Sequence, residues 1–205
     1  MIVSDVRKSN TGPAIFIDRD GVINCRRPGD YVLDWSQFIF MPGIRKALKQ
    51  LASLRLPIIV ISNQAAVGKG LLTPDGLQEI TARLRHVLLN DGVFLTAAYY
   101  CPHAPRDNCV CRKPKPELLF KAADDFNINL SNSVFIGDSE TDVQAARAAG
   151  CNPVLFGSGL SSSPEARERA MSVPTALTGN ELFDIVVDAC KIRQSSEGLA
   201  VRFKE

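Results

Sequence analysis

Short apolar runs alternate with longer amphipathic ones along most of the chain, and this alternation constrains the fold more than any other feature. AIFID (14–18), PIIVIS (57–62), TAAYY (96–100), SVFIGD (133–138) and PVLF (153–156) are rich in branched or aromatic residues. Runs of that length and kind are read as buried strands of a parallel sheet. Between them, PGIRKALKQLASL, TPDGLQEITARLRHVLLND, KPELLFKAADDF and ETDVQAARAAG carry helical patterns. Thr73 is placed to cap the second, with Pro74 at its first helical position. Gly150 supplies a stop for the fourth. Strand and helix in strict alternation predict a doubly wound, Rossmann-like α/β fold with a parallel sheet and helices on both faces. NELFDIVVDACKI (180–192) predicts a further helix on the sheet's edge. GSGLSSSPEARERA (157–170) reads as a surface loop entering a short helix, and 196–205 as a loosely held tail. The 205 residues suffice for one domain, expected over 1–195 and without a large cap domain.

Composition removes several function classes. The net charge is only +2 and no long basic block appears, so nothing marks the chain for nucleic acid or membrane. The start, MIVSDVRKSN, has no apolar stretch of the kind a secretory leader needs. The expectation is a cytoplasmic monomer acting on a small molecule.

Ligands of open α/β sheets bind beyond the carboxyl ends of the strands, and three strand ends carry suitable chemistry. The first continues as DRDGVIN, where Asp18 and Asp20 flank Arg19. Residues two apart in an extended segment point the same way, so both carboxylates can approach one group. One can attack while the other exchanges a proton, or both can hold a hard cation such as Mg²⁺. Alternatively they cap a loop turn. The second ends in SNQAAVGKG, where Ser62 and Asn63 offer a hydroxyl and backbone N–H groups to phosphate oxygens, or form an ordinary turn. The fourth ends in GDSETD. Asp138 at the tip and Asp142 one helical turn later are a second carboxylate source for a cation, or a cap and helix-dipole pair.

The segment CPHAPRDNCVCRKPK (101–115) holds half of the six cysteines and one of the two histidines. Thiols clustered in a reducing compartment more often bind metal than form disulfides. Cys101, His103, Cys109 and Cys111 match a closed tetrahedral Cys₃His set for Zn²⁺, which leaves no open position and is therefore structural. A metal-free thiol loop is the alternative.

Asp-x-Asp-Gly, Ser-Asn, Lys and Gly-Asp-x-x-x-Asp, in that order from about Ile15 to Gly150, resemble the haloacid dehalogenase superfamily of phosphatases. The resemblance implies Asp18 as nucleophile forming an aspartyl-phosphate and Asp20 as general acid, then base. It further implies Mg²⁺ on Asp18, the Asp20 carbonyl and Asp138, supported by Asp142, with Ser62 and Lys113 stabilising the phosphoryl group. YYCPHAPRDNCVCRKPKP is similar to a zinc-loop branch containing heptose 1,7-bisphosphate 7-phosphatases and histidinol-phosphate phosphatases. There the arginine of Arg-Lys-Pro aids substrate recognition, which carries over to Arg112, and the lysine to Lys113. NQAAVGKG resembles the heptose enzymes' corresponding segment, which adds Asn63 and Gln64 as candidate substrate contacts. The basic pair Arg26-Arg27 could meet a second phosphate on a bisphosphorylated sugar, or stand solvated. The expected activity is Mg²⁺-dependent hydrolysis of a heptose bisphosphate at the 7-phosphate. Its rivals are histidinol-phosphate hydrolysis and a non-catalytic, zinc-ordered binding module.

Overall fold

In a computed structural model, residues 12–26, 31–157 and 173–190 are described. Five strands arise from the five apolar runs: β1 Ile15–Ile17, β2 Ile58–Asn63, β3 Leu95–Cys101, β4 Val134–Gly137 and β5 Asn152–Phe156. A two-residue strand, β6 Thr175–Ala176, extends the sheet beyond them. All pairings are parallel and the order is β3-β2-β1-β4-β5-β6. Two residues make β6 too short for a periodic signal, and only its pairing with Leu155 and Phe156 defines it.

Alternation along the strands divides the core. Ile15, Ile17, Ile58 and Val60 face one side, with α1 (Ile44–Ala52), α3 (Pro74–Asn90) and α6 (Gly179–Ala189) packed there through Leu48, Leu51, Ile80, Leu84, Leu182 and Val186. Phe16, Ile59, Ile61 and Phe135 face the other, against Leu119 and Ala122 of α4 (Glu117–Phe126) and Ala145 and Ala146 of α5 (Glu140–Ala148). Both faces are thus covered, as a parallel sheet requires. One short helix, α2 (Ala65–Gly68), follows β2 directly. Its four residues lie within NQAAVGKG and carry no period of their own.

The helix boundaries follow side-chain chemistry. The Thr73 hydroxyl accepts from Gly76 N at 3.0 Å with Pro74 opening α3. Gly150 takes φ +71° just beyond α5, the left-handed stop that glycine adopts without penalty. At α6, Thr178 and Glu181 cap each other's backbone N–H groups, and the helix contacts β5, β6 and α1. Most of the 157–170 stretch, Arg27 and the 196–205 tail lie outside the described residues. No described helix is long and apolar enough to cross a membrane, and no separate domain interrupts the described strands and helices.

Strand order matters most for function. β1 sits in the middle, with β2 on one side and β4 on the other, and Ile17 is level with both Val60 and Ile136. The chain leaves β1 in one direction and returns through β4 in the other, so a crevice opens where the order reverses. Asp18, Ser62 and Asp138 are all set at its rim. Thr73→Ala should lower unfolding free energy by about 1 kcal/mol in urea titration, because the α3 cap is lost without touching that crevice.

Candidate active site

Four charged side chains meet at the crevice, all largely withdrawn from solvent. Lys113 Nζ lies 3.0 Å from Asp18 Oδ1 and 2.6 Å from Asp142 Oδ1. It also donates to the Ile61 carbonyl at 3.0 Å and stands over the Phe135 ring. Lys113 comes from beyond β3, at the far edge of the sheet. Asn63 ties it in by accepting from Lys113 N at 3.1 Å and donating to Lys113 O at 3.2 Å. The Asn63 side chain thus holds the lysine's backbone.

Asp18, Asp138 and Asp142 place carboxylate oxygens within 4.8 Å of one another. Asp142 accepts from the backbone N–H groups of Asp138 and Ser139 and from the Ser139 hydroxyl at 2.6 Å. Those bonds pin it as a support beneath Asp138. Gly21 makes the close approach possible: it has φ +93°, and a Cβ there would stand 1.9 Å from Asp138 Oδ2. Three acids against one buried lysine leave an excess of negative charge. Burial pushes the Asp18 carboxyl up; Lys113 opposes this, while Asp142 and Asp20 add to it. Burial likewise carries Asp138 up to about 7, against Arg26 and with help from Asp18 and Asp142. Lys113 is raised despite its burial, because Asp142 and Asp18 hold its proton. Hard oxygen donors with unbalanced negative charge fit a divalent cation such as Mg²⁺.

Asp20 is held by a different set. Arg19 grips it with Nε and Nη2 at 2.9–3.1 Å, Asn24 donates at 2.9 Å and Gln64 at 2.8 Å. Burial pushes the carboxyl up, but Arg19 and the two amides outweigh it and hold Asp20 below its ordinary range. Gln64 also donates to Ser62 Oγ at 3.1 Å, and Ser62 stands at the end of β2 beside the end of β1 that leads into Asp18. Gln64 thus contacts Asp20 and Ser62 instead of open solvent. Arg19 and Asn24 carried no signal in the sequence beyond their places in DRDGVIN. Arg26 reaches from the rim to Asp138 Oδ1 at 2.8 Å, its own side chain 54% exposed.

Away from this cluster, Cys101, His103, Cys109 and Cys111 come together. Cys101 Sγ lies 3.5 Å from Cys109 Sγ and 3.7 Å from His103 Nδ1; Cys111 Sγ lies 3.6 Å from Cys109 Sγ and 3.3 Å from His103 Nδ1. Tetrahedral zinc, with bonds of about 2.3 Å to sulfur and 2.0 Å to nitrogen, spaces its ligand atoms by roughly these distances. The donor set therefore fits zinc, and its four positions leave no place for water. Burial is slight at Cys109, and hydrogen bonds from Cys101, Cys111 and backbone N–H groups bring its thiol down to about 7. The loop docks on α2: Gly68 N donates to Pro102 O at 2.7 Å, and a Cβ at Gly68 would meet Ala104 N at 2.5 Å. Arg112 is half-buried beside the loop, its Nη1 3.4 Å from the His103 carbonyl.

Known proteins share much of this sequence and fold. Residues 110–182 match the HAD-hydrolase-like family. The D-glycero-beta-D-manno-heptose-1,7-bisphosphate 7-phosphatase of Helicobacter pylori is 40% identical over 137 residues, covering 66% of this chain and 78% of the relative. The chain belongs to the heptose-bisphosphate phosphatase family of haloacid dehalogenase-like hydrolases. It is accordingly a phosphatase, a hydrolase of phosphoric monoesters. A D-glycero-alpha-D-manno-heptose-1,7-bisphosphate 7-phosphatase from Mycobacterium bovis is 38% identical, covering 70% of this chain and 78% of its own. A crystal structure of the D,D-heptose 1,7-bisphosphate phosphatase from B. bronchiseptica, complexed with magnesium and phosphate, superposes with a TM-score of 0.75 and 28% identity, covering 86% of this chain and 98% of that one.

Two metal predictions follow from the family member's own geometry. Protons compete with a cation at Asp138, whose pKa lies at about 7. Mg²⁺ affinity of the metal-free protein, read by titration calorimetry, should therefore weaken as pH falls below 7, by up to about tenfold per unit. Stripping zinc should lower the thermal midpoint while Mg²⁺ binding persists. Full Mg²⁺-free turnover on zinc alone would reverse the assignment of the two metals.

Proposed function

We propose that this chain hydrolyses D-glycero-D-manno-heptose 1,7-bisphosphate at the 7-phosphate through an aspartyl-phosphate on Asp18. The observation that carries the reading is the ion-paired trio of Asp18, Lys113 and Asp142 at the mouth of β1, set in a chain whose relatives are named for that activity.

Each residue has a chemical task. An Asp18 carboxylate oxygen attacks phosphorus and the bond to the sugar oxygen breaks, while Asp20, which enters the step protonated once the negative phosphate beside it has raised its proton affinity, gives that oxygen a proton. Asp20 then takes a proton from water; the water oxygen attacks phosphorus, the bond to Asp18 breaks and inorganic phosphate leaves. Lys113 and the Ser62 hydroxyl lie against Asp18, where they offset the charge of the incoming phosphoryl oxygens. Asp18, the Asp20 carbonyl and Asp138 would hold Mg²⁺, with Asp142 behind them; bound there, the cation neutralises phosphate charge that would otherwise repel Asp18. The Arg26 guanidinium is exposed at the rim, suited to the phosphate that does not react, and Arg112 to the sugar side. Zinc on Cys101, His103, Cys109 and Cys111 would brace the loop that delivers Arg112 and Lys113. One chain supplies every group named, in keeping with a monomer, and reduced thiols accord with a cytoplasmic site of action. Relatives named for both anomers leave the anomeric preference to substrate tests.

Phosphate release should be fastest on heptose 1,7-bisphosphate among a panel with histidinol phosphate and fructose bisphosphate, and should stop with a Mg²⁺ chelator. Asp18→Asn should reduce it at least about 10³-fold at unchanged fold, because the nucleophile is gone. Activity surviving that change would exclude the covalent route.

A further inference from the structure

Among the described residues, the side chain between Asp18 and Asp20 is the largest of the fully buried ones. Arg19 is 1% exposed, and among the described residues its only ion-pair partner is Asp20. Its Nη1 is buried without a hydrogen-bond partner. Burying a guanidinium against a single carboxylate is costly, and an apolar side chain of similar size packs such a place at less cost. Packing therefore gives no reason for the charge.

The hydrogen bonds on Asp20 are uneven. Oδ1 accepts three: Arg19 Nε at 3.1 Å, Arg19 Nη2 at 2.9 Å and Asn24 Nδ2 at 2.9 Å. Oδ2 accepts the shared Arg19 Nη2 at 3.0 Å and Gln64 Nε2 at 2.8 Å. The same Gln64 nitrogen bonds Ser62 Oγ, and Ser62 stands at the end of β2 beside the β1 end that leads into Asp18. Oδ2 is therefore the oxygen on the side where a phosphoryl group on Asp18 would lie. The terminal torsion of an aspartate is broad, and proton transfer demands a heavy-atom approach of about 2.6–3.2 Å in a set direction. A two-pronged guanidinium fixes a carboxyl plane, whereas an ammonium supplies only a point charge.

We propose that Arg19 is a positioning residue: its fork holds Oδ1 and sets the carboxyl plane of Asp20 so that Oδ2 addresses the leaving oxygen of the substrate. This rests on the reading of Asp20 as the acid–base group. Arg19 itself, turned into the core beneath the site, touches neither phosphoryl group nor sugar.

A sugar alkoxide leaves only with a proton, whereas p-nitrophenolate leaves without one. The ratio kcat/KM covers steps up to departure of the leaving group, so it isolates Asp20's acid role from its later work on water. The experiment compares kcat/KM for the best sugar phosphate of the panel and for p-nitrophenyl phosphate in wild type, Arg19→Lys, Arg19→Met and Asp20→Asn. Arg19→Lys and Arg19→Met should lose about 100-fold or more on the sugar phosphate and less than about tenfold on the aryl ester, the pattern also expected of Asp20→Asn. Equal losses on both esters in the Arg19 variants, with the split kept in Asp20→Asn, would overturn the role of Arg19 alone. Wild-type rates in Arg19→Lys and Arg19→Met would do the same. No split in Asp20→Asn would remove the acid reading of Asp20, and this proposal with it. Circular dichroism melts accompany each variant; an unfolded Arg19→Lys, which keeps charge and approximate length, would make Arg19 structural and end the proposal.

Discussion

Lys113 is the point on which the site depends. Among the described residues its ammonium is the one buried cation touching Asp18 and Asp142, and without it three carboxylates would face one another at the end of a low-dielectric sheet. Removing one partner of such a buried network leaves uncompensated charge, at a typical cost of about 3–5 kcal/mol. Two supports fix the lysine in place. Asn63 at the end of β2 clasps its backbone from both sides, and the cysteine–histidine loop immediately before it docks on α2. A residue that starts at the sheet's far edge is thereby delivered to its centre.

The two metal-type clusters divide the work by donor chemistry. Oxygen donors with excess negative charge gather in the crevice, open toward a substrate. Sulfur and imidazole donors close on themselves at the loop, where nothing remains for a reactant to bind. The second cluster lies in the loop that leads directly into Lys113 of the first. Asp20 is secured separately, by Arg19, Asn24 and Gln64, so the Asp18 and Asp20 carboxyls are held by different parts of the structure.

Much of this was legible in the chain. Burial on both faces of a parallel sheet forces strands to be continuously apolar, so five of them stand out as AIFID, PIIVIS, TAAYY, SVFIGD and PVLF. Caps at Thr73 and the stop at Gly150 are local chemistry and needed no tertiary information. Acids at the ends of β1 and β4 were visible because each follows its strand at once, and the four ligands of the loop because they lie within eleven residues. β6 escaped notice, since two residues cannot show a period.

What the sequence by itself determined is which residue types stand at strand ends, because parallel-strand burial and the turn beyond it are written in adjacent positions. Only the tertiary structure decided who partners whom. Asn63 and Lys113 are fifty residues apart, Gln64 and Asp20 forty-four, Arg26 and Asp138 a hundred and twelve. Such pairings depend on strand order and loop path, which no local pattern encodes. For that reason no local pattern showed that the side chains of Asn63 and Gln64 contact Lys113 and Asp20 in the folded chain. Arg19, silent in the sequence, proves to be the buried charge beneath the acid.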